Sequence, residues 1–140
     1  MPARSVTVVA MSTDTAPTTD TTKATAVVDT YLATWNETDR ARRAELVDAS
    51  LGTDLWYRDP MLEADGLDAY HAMIDGVEAQ LPNHVMRRTG PLDVHHDVMR
   101  FTWALGPEGG EPVFAGVDMA KFDAAGKLHR IVGFVPAAAP

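Results

Sequence analysis

Trp56-Tyr57-Arg58-Asp59-Pro60 is the stretch on which the fold turns. Aromatic residues suit a pleated, half-buried strand, and a proline cannot extend the hydrogen-bond ladder. A short strand, Asp54 to Asp59, therefore ends in a carboxylate among aromatic groups. Such a carboxylate can acquire an unusual pKa and act on a proton. It can equally be a plain strand end that accepts backbone N–H groups.

Working outward, the flanks are helical. Ala24, Val27, Val28, Tyr31, Leu32 and Trp35 fall at spacings of three and four and form one apolar stripe. Asn36 ends this helix, and Thr38 or Asp39 can cap a second, which carries Leu46 and Val47 inward and stops by Gly52. Beyond the strand, Met61 to Asp65 reads as a loop. Gly66 precedes a third helix with Leu67, Tyr70, Ile74, Val77 and Leu81 on one face, closed by Pro82.

After Pro82 the periodicity switches to strands: Asn83 to Thr89, Leu92 to His96, Val98 to Leu105, Pro112 to Phe122 and Leu128 to Val135. Gly90-Pro91, the Gly106 to Gly110 stretch and Ala124-Ala125-Gly126 supply the turns. Three N-terminal helices with one inserted strand, then a meander, predict an α+β fold. The helices should pack on a strongly curved, antiparallel or mixed sheet, forming a half-open cone with an internal pocket. Apolar residues on both parities of the Pro112–Phe122 strand predict a homodimer through the outer face of the sheet.

Composition narrows the classes of function. The chain has 140 residues, 46% hydrophobic and 23% charged, enough for one domain with a real core. Without cysteine it has no disulfide, thiolate metal site or thiol chemistry. A net charge of −8 disfavours nucleic acid and anionic membrane surfaces as partners. No apolar run approaches the roughly 20 residues that span a bilayer. Residues 1–21 are rich in Thr, Ala, Ser, Asp and Pro and read as a disordered leader. Val6 to Met11 is too short and too weakly apolar for a secretory signal, and Met11 is an alternative start. The expectation is a cytoplasmic protein with one domain, residues 22–136, and a flexible tail, 137–140.

Four stretches carry a family resemblance. They are Tyr31-Leu32-Ala33-Thr34-Trp35-Asn36 followed by Asp39; Asp59-Pro60 followed by Gly66; Ala115-Gly116-Val117-Asp118-Met119; and Gly126-Lys127-Leu128 leading into Ile131-Val132-Gly133-Phe134. In order and spacing the chain resembles the SnoaL-like branch of the nuclear transport factor 2-like superfamily, whose cone-shaped fold also serves ketosteroid isomerase. That fold hosts isomerases, cyclases, hydrolases, dehydratases and binding domains, so the resemblance implies a fold more than a reaction.

The resemblance places Asp59 where ketosteroid isomerase has its general base, and Tyr31 where it has an oxyanion donor. The chemistry is sound on its own terms: a phenol donates to a developing enolate while a carboxylate takes the proton. Asp59 can also be structural, and Tyr31 a core aromatic on the helix stripe. The chain departs from its relatives in two places. Ala115 stands where ketosteroid isomerase keeps a second oxyanion acid. Ile131-Val132-Gly133-Phe134 replaces the last-strand acid of SnoaL-type cyclases and limonene epoxide hydrolases. Arg100 and Asp118 supply only two parts of a hydrolase-style Asp-Arg-Asp set.

Strand parity then assigns faces. Trp103 is expected in the pocket wall with Ala115 and Val117. Arg100 and Asp118 face away, as a dimer or structural polar pair, unless a bulge reverses the count. His96, which suits proton transfer near neutral pH, is the third catalytic candidate with Asp59 and Tyr31. His71, His84 and His129 read as surface or rim residues, and no spacing suggests a metal site. Trp35, Trp56, Tyr57, Met61, Met86, Phe114 and Phe134 complete the expected apolar lining.

Two functions are open at this point. One is an enzyme performing cofactor-independent isomerisation, cyclisation or dehydration on a small apolar carbonyl compound. Such reactions need only a positioned acid–base pair. The other is a non-catalytic ligand-binding or dimerisation domain of the same fold.

Overall fold

The computed structural model describes residues 20–136. The expected leader, apart from its last two residues, the alternative start at Met11 and the C-terminal tail lie outside the described residues. Asp20 caps the first helix, its carboxylate accepting from Thr22 N–H at 2.8 Å. Helix α1 runs Thr21–Thr34 and α2 runs Arg40–Ser50. Strand β1 (Leu51–Arg58) follows, then β2 (Glu63–Asp65) and α3 (Leu67–Gln80). The remaining strands are β3 (His84–Arg88), β4 (Asp93–His95), β5 (Val98–Pro107), β6 (Phe114–Phe122) and β7 (Leu128–Phe134).

This is the expected α+β order, with one addition: the loop after Pro60 contains β2, antiparallel to β1. Gly66, at φ 86°, turns the chain from β2 into α3 in a conformation that only glycine adopts freely. The sheet runs β2-β1-β7-β6-β5-β3, with β4 also on β5. Every pairing is antiparallel except β1 with β7, so the sheet is mixed. The parallel pairing carries a register irregularity between Leu51 and Trp56.

The helices cover one face. Ala24, Val28, Tyr31 and Leu32 of α1, Val47 of α2 and Tyr70, Met73 and Ile74 of α3 meet Leu55, Tyr57, Phe101, Leu128 and Ile131 from the sheet. Polar side chains buried between helices are matched. Thr34 Oγ1 sits 2.6 Å from both the Tyr31 carbonyl and the Tyr70 hydroxyl. Arg43, fully buried, donates to His71 Nδ1 at 3.2 Å and pairs with Asp75. His71 is therefore buried, not on the surface as the sequence suggested. Desolvation, then the neighbouring Arg40 and Arg43, lower its pKa, so it accepts from Arg43 as a neutral imidazole.

Asn36 fixes the end of α1 to the sheet. Its amide donates to the Met86 carbonyl at 2.8 Å and accepts from Met86 N–H at 2.7 Å, as a neighbouring strand would. Replacing it strands both backbone groups. Asn36→Ala should lower the unfolding free energy by about 2 kcal/mol, with an unchanged denaturant m-value, in urea melts followed by circular dichroism.

Candidate functional site

Alternation along β5 turns Met99, Phe101 and Trp103 inward and Arg100 and Thr102 outward. Residues that face one another across an antiparallel pair share a side. Phe101 pairs with Asp118 and Trp103 with Gly116. Asp118 is therefore carried inward on β6 and is only 3% exposed. On β7 the inward positions are Leu128, Ile131 and Gly133, and Gly133 pairs with Asp118.

Each of the two inward polar side chains lies over a glycine on the next strand. A Cβ at Gly116 would come within 2.6 Å of the Trp103 ring and 2.4 Å of the Phe134 carbonyl oxygen. A Cβ at Gly133 would come within 2.7 Å of Asp118 Oδ1 and 3.3 Å of Asp59 Cβ. The missing side chains let the indole and the carboxyl lie down toward each other. Trp103 Nε1–H donates to Asp118 Oδ1 at 2.8 Å, and Tyr31 O–H from α1 donates to Asp118 Oδ2 at 3.4 Å.

Asp59 stands on the far side of Gly133 at the end of β1. Its Oδ1 accepts from Met61 N–H and Leu62 N–H, both at 2.8 Å, and its Oδ2 accepts from Tyr57 O–H at 2.6 Å. Both carboxyls border one cavity of about 310 Å³, whose walls include Trp35, Tyr57, Met86, Trp103 and Phe114. Its other walls come from α3 and its C-terminal end (Val77, Gln80, Leu81), from Met61 and Leu62 after β1, and from Leu105 and Val135.

Electrostatics separates the groups. Burial pushes Asp118 up to about 7; the Trp103 and Tyr31 hydrogen bonds pull it down, and Asp59 adds an upward push. Burial, then the Asp118 charge, raises Tyr31 well above the ordinary phenol value, and Tyr57 is raised likewise. Both phenols are thus donors across the working pH range. The Trp35 indole nitrogen is buried with no hydrogen-bond partner of good geometry, although its nearness to Tyr31 mildly favours the phenolate. Among the described residues, no group of three His, Cys, Asp or Glu side chains could hold a metal ion.

Tyr31, Asp59, Trp35, Tyr57, Met61, Met86 and Trp103 come together as the sequence placed them, around the cavity. Several other expectations need correction. Asp118 faces the cavity, while Ala115 and Val117 lie on the opposite parity, away from it. The signal was present: Phe114, Ala120 and Phe122 share the parity of Asp118 and mark the buried side of β6. Arg100 does not pair with Asp118; it points outward, 3.4 Å from Asp93. Trp56 lies on the outer side of β1 beneath the Arg58 guanidinium, 4.5 Å from its ring centre. Phe134 is half exposed, because Ile131 and Gly133 take the inward positions. His96 is exposed in the turn between β4 and β5, at φ 51° and 3.0 Å from His95, and does not line the cavity. Val77, Leu81, Leu105 and Val135 were missed as lining, since helix and strand periodicity marks a core residue without saying which core residues border a void.

The raised Asp118 pKa has a sign that can be measured. Between its unfolded pKa near 4 and its folded value near 7 the folded state holds a proton that the unfolded state has lost. Its contribution is full below pH 4 and disappears as pH rises through 7. Asp118→Asn keeps an acceptor for Trp103 and does not titrate. The variant's stability relative to the parent should therefore grow from pH 4 to pH 8, by on the order of 4 kcal/mol. Urea melts at both pH values check this, and a difference that stays constant with pH would refute it.

With the geometry in place, comparison with known proteins gives the family. No protein-family model matches the sequence, and no curated protein matches it. Solved structures do. A proposed isomerase of the SnoaL-like family from Agrobacterium tumefaciens str. C58 is 31% identical, with a TM-score of 0.77, over 83% of this chain and 99% of that one. A proposed ketosteroid isomerase from Kribbella flavida DSM 17836 is 22% identical, with a TM-score of 0.65, over 86% of this chain and 83% of that one. An NTF2-like protein of unknown function from Exiguobacterium sp. 255-15 is 18% identical, with a TM-score of 0.65, over 80% of this chain and 99% of that one. The last two show a shared fold. The first, at its identity and near-complete coverage, shows descent: this chain belongs to the SnoaL-like family.

Proposed function

We propose that the protein catalyses cofactor-independent proton transfer, as isomerisation, cyclisation or dehydration, on a small and largely apolar carbonyl compound bound in the cavity. One observation carries this reading: Asp118 is a buried carboxyl that borders an apolar cavity and meets only an indole and a phenol, so burial pushes it up to about 7. A carboxyl balanced at that pH can both take and return a proton. The SnoaL-like relative proposed as an isomerase supports the same class of chemistry.

The roles follow from the partners. Asp118, as carboxylate, takes the proton next to the substrate carbonyl. Once it is protonated, the Tyr31 hydroxyl no longer needs to donate to it and can turn to the enolate oxygen. The proton then returns to the other carbon, or the leaving group departs with it. Asp59 was the base expected from the sequence. With Oδ1 tied to two backbone N–H groups and Oδ2 to Tyr57, it serves better as a fixed negative charge that tunes Asp118. The same engagement of Asp59 favours the competing reading, a pocket that binds without chemistry.

The deciding experiment offers a panel of cyclic and open-chain enones, and α-deuterated ketones, to the protein and follows proton exchange by NMR. Exchange should rise with pH through about 7, and Asp118→Asn should lower its rate by roughly 10²- to 10⁴-fold, Asp59→Asn by less. Saturable binding with no exchange on any member would favour the binding domain. We further propose that a second copy covers the outer side of the sheet, where Val113, Met119 and Phe134 are half exposed. Light scattering should give twice the chain mass, and Met119→Lys with Phe134→Lys should halve it.

A further inference from the structure

The cavity carries charge of one sign. Asp59 and Asp118 line it, and among the described residues no lysine, arginine or histidine does. Elsewhere the described acids commonly meet a cation: Asp29 meets Arg88, Asp65 meets Arg58, Asp75 meets Arg43 and Asp93 meets Arg100. The two cavity carboxyls receive only neutral donors, from Trp103, Tyr31, Tyr57 and the Met61 and Leu62 amides. A desolvated carboxyl without a countercharge is unfavourable, and the favourable completion is a cation. The remaining wall is suited to one. Tyr31, Trp35, Tyr57, Trp103 and Phe114 present aromatic rings, whose faces attract ammonium groups.

We propose that the natural ligand of this cavity carries a protonated amine, held against Asp118 and Asp59 within the aromatic wall, and that anionic molecules are rejected. This rests on the reading that the cavity takes a small carbonyl compound, and narrows that class to compounds bearing a basic nitrogen. The stereochemistry allows it. Each Asp118 oxygen accepts one protein hydrogen bond, and Asp59 Oδ2 accepts one. Each keeps a lone pair for one of the three N–H donors of an ammonium. The groups around Asp118 are Tyr31 from α1, Tyr57 from β1 and Asp59 just after it, Tyr70 from α3 and Trp103 from β5. The tyrosines stay protonated, so a proton displaced by an arriving cation comes from Asp118.

Calorimetry on the full chain tests this with three molecules of like shape: 2-phenylethylamine, 2-phenylethanol and phenylacetate. At pH 8 the amine should bind about tenfold more tightly than the alcohol, and phenylacetate should not bind. At pH 6 the amine should bind about tenfold more weakly, releasing close to one proton, seen as heat that varies with the buffer. Asp118→Asn should abolish the proton release and weaken the amine by about 30-fold. Asp59→Asn, a second variant should the first not fold, should weaken it in the same direction. The proposal is overturned if the alcohol matches the amine at pH 8, if phenylacetate binds best, or if none of the three binds. Exchange of a neutral enone together with any of those outcomes would leave the acid–base reading standing and remove only this one.

Discussion

The hydrogen bond from Trp103 Nε1 to Asp118 Oδ1 is the interaction on which the rest of the site depends. It crosses from β5 to β6 between residues that are not opposite each other. That reach is open because the residue opposite each on the following strand, Gly116 on β6 and Gly133 on β7, is a glycine. Gly116 clears the floor for the indole and Gly133 clears it for the carboxyl. A side chain at either place would lift its partner off the sheet. The register of three strands, β5, β6 and β7, is therefore written into the position of one carboxyl. A slip of one residue would send Asp118 to the outer side and turn Val117 and Met119 inward.

Two of the buried ionisable groups, Arg43 and Asp118, are of opposite design. Arg43 is wholly enclosed between α2 and α3, but it meets the Asp75 carboxylate and a neutral His71 nitrogen. Its charge is matched, and it binds two helices together. Asp118 is nearly as enclosed, yet it meets an indole and a phenol, which carry no charge. Two neutral donors do not replace the water it lost, so burial dominates and the carboxyl holds its proton to about pH 7. Asp118 borders the cavity, and Arg43 is not among the residues that line it. The contrast separates a charge-paired ion from a carboxyl that keeps its proton by compensation, not by depth.

How much of this was legible in the chain depends on the range of the interaction. The helices were, because the stripe from Ala24 to Trp35 and the stop at Pro82 are local signals. The order of the strands was as well, through their turns, except for the three-residue β2, which read as a loop. The face of β6 was not. Ala115 and Val117 look like an inward pair, and Asp118 like an outward acid, when apolar character alone decides the parity. Phe114, Ala120 and Phe122 give the opposite answer, and the larger side chains outweigh the smaller. Trp56 misled for a related reason. A ring that stacks under Arg58 on the solvent side satisfies the same propensity as one buried in a core. His96 has suitable chemistry for proton transfer, but nothing in its sequence neighbours places it near the cavity.

The apparent loss of helper acids has a geometric explanation. Ala115 and Gly133 stand where the resemblance leads one to expect carboxyls, and by residue type alone the site looks stripped. In space, the absent side chain at Gly133 is the room into which Asp118 turns, between Trp103 and Asp59. An acid at 133 and the present position of Asp118 exclude each other, since even one added carbon would come within 2.7 Å of its oxygen. The cavity has its second carboxyl all the same, carried by Asp118 on β6 opposite Gly133 on β7. Asp59, the residue with which the sequence began, keeps its place at the end of β1. With two amides and a phenol around it, it holds the charge against which its neighbour titrates.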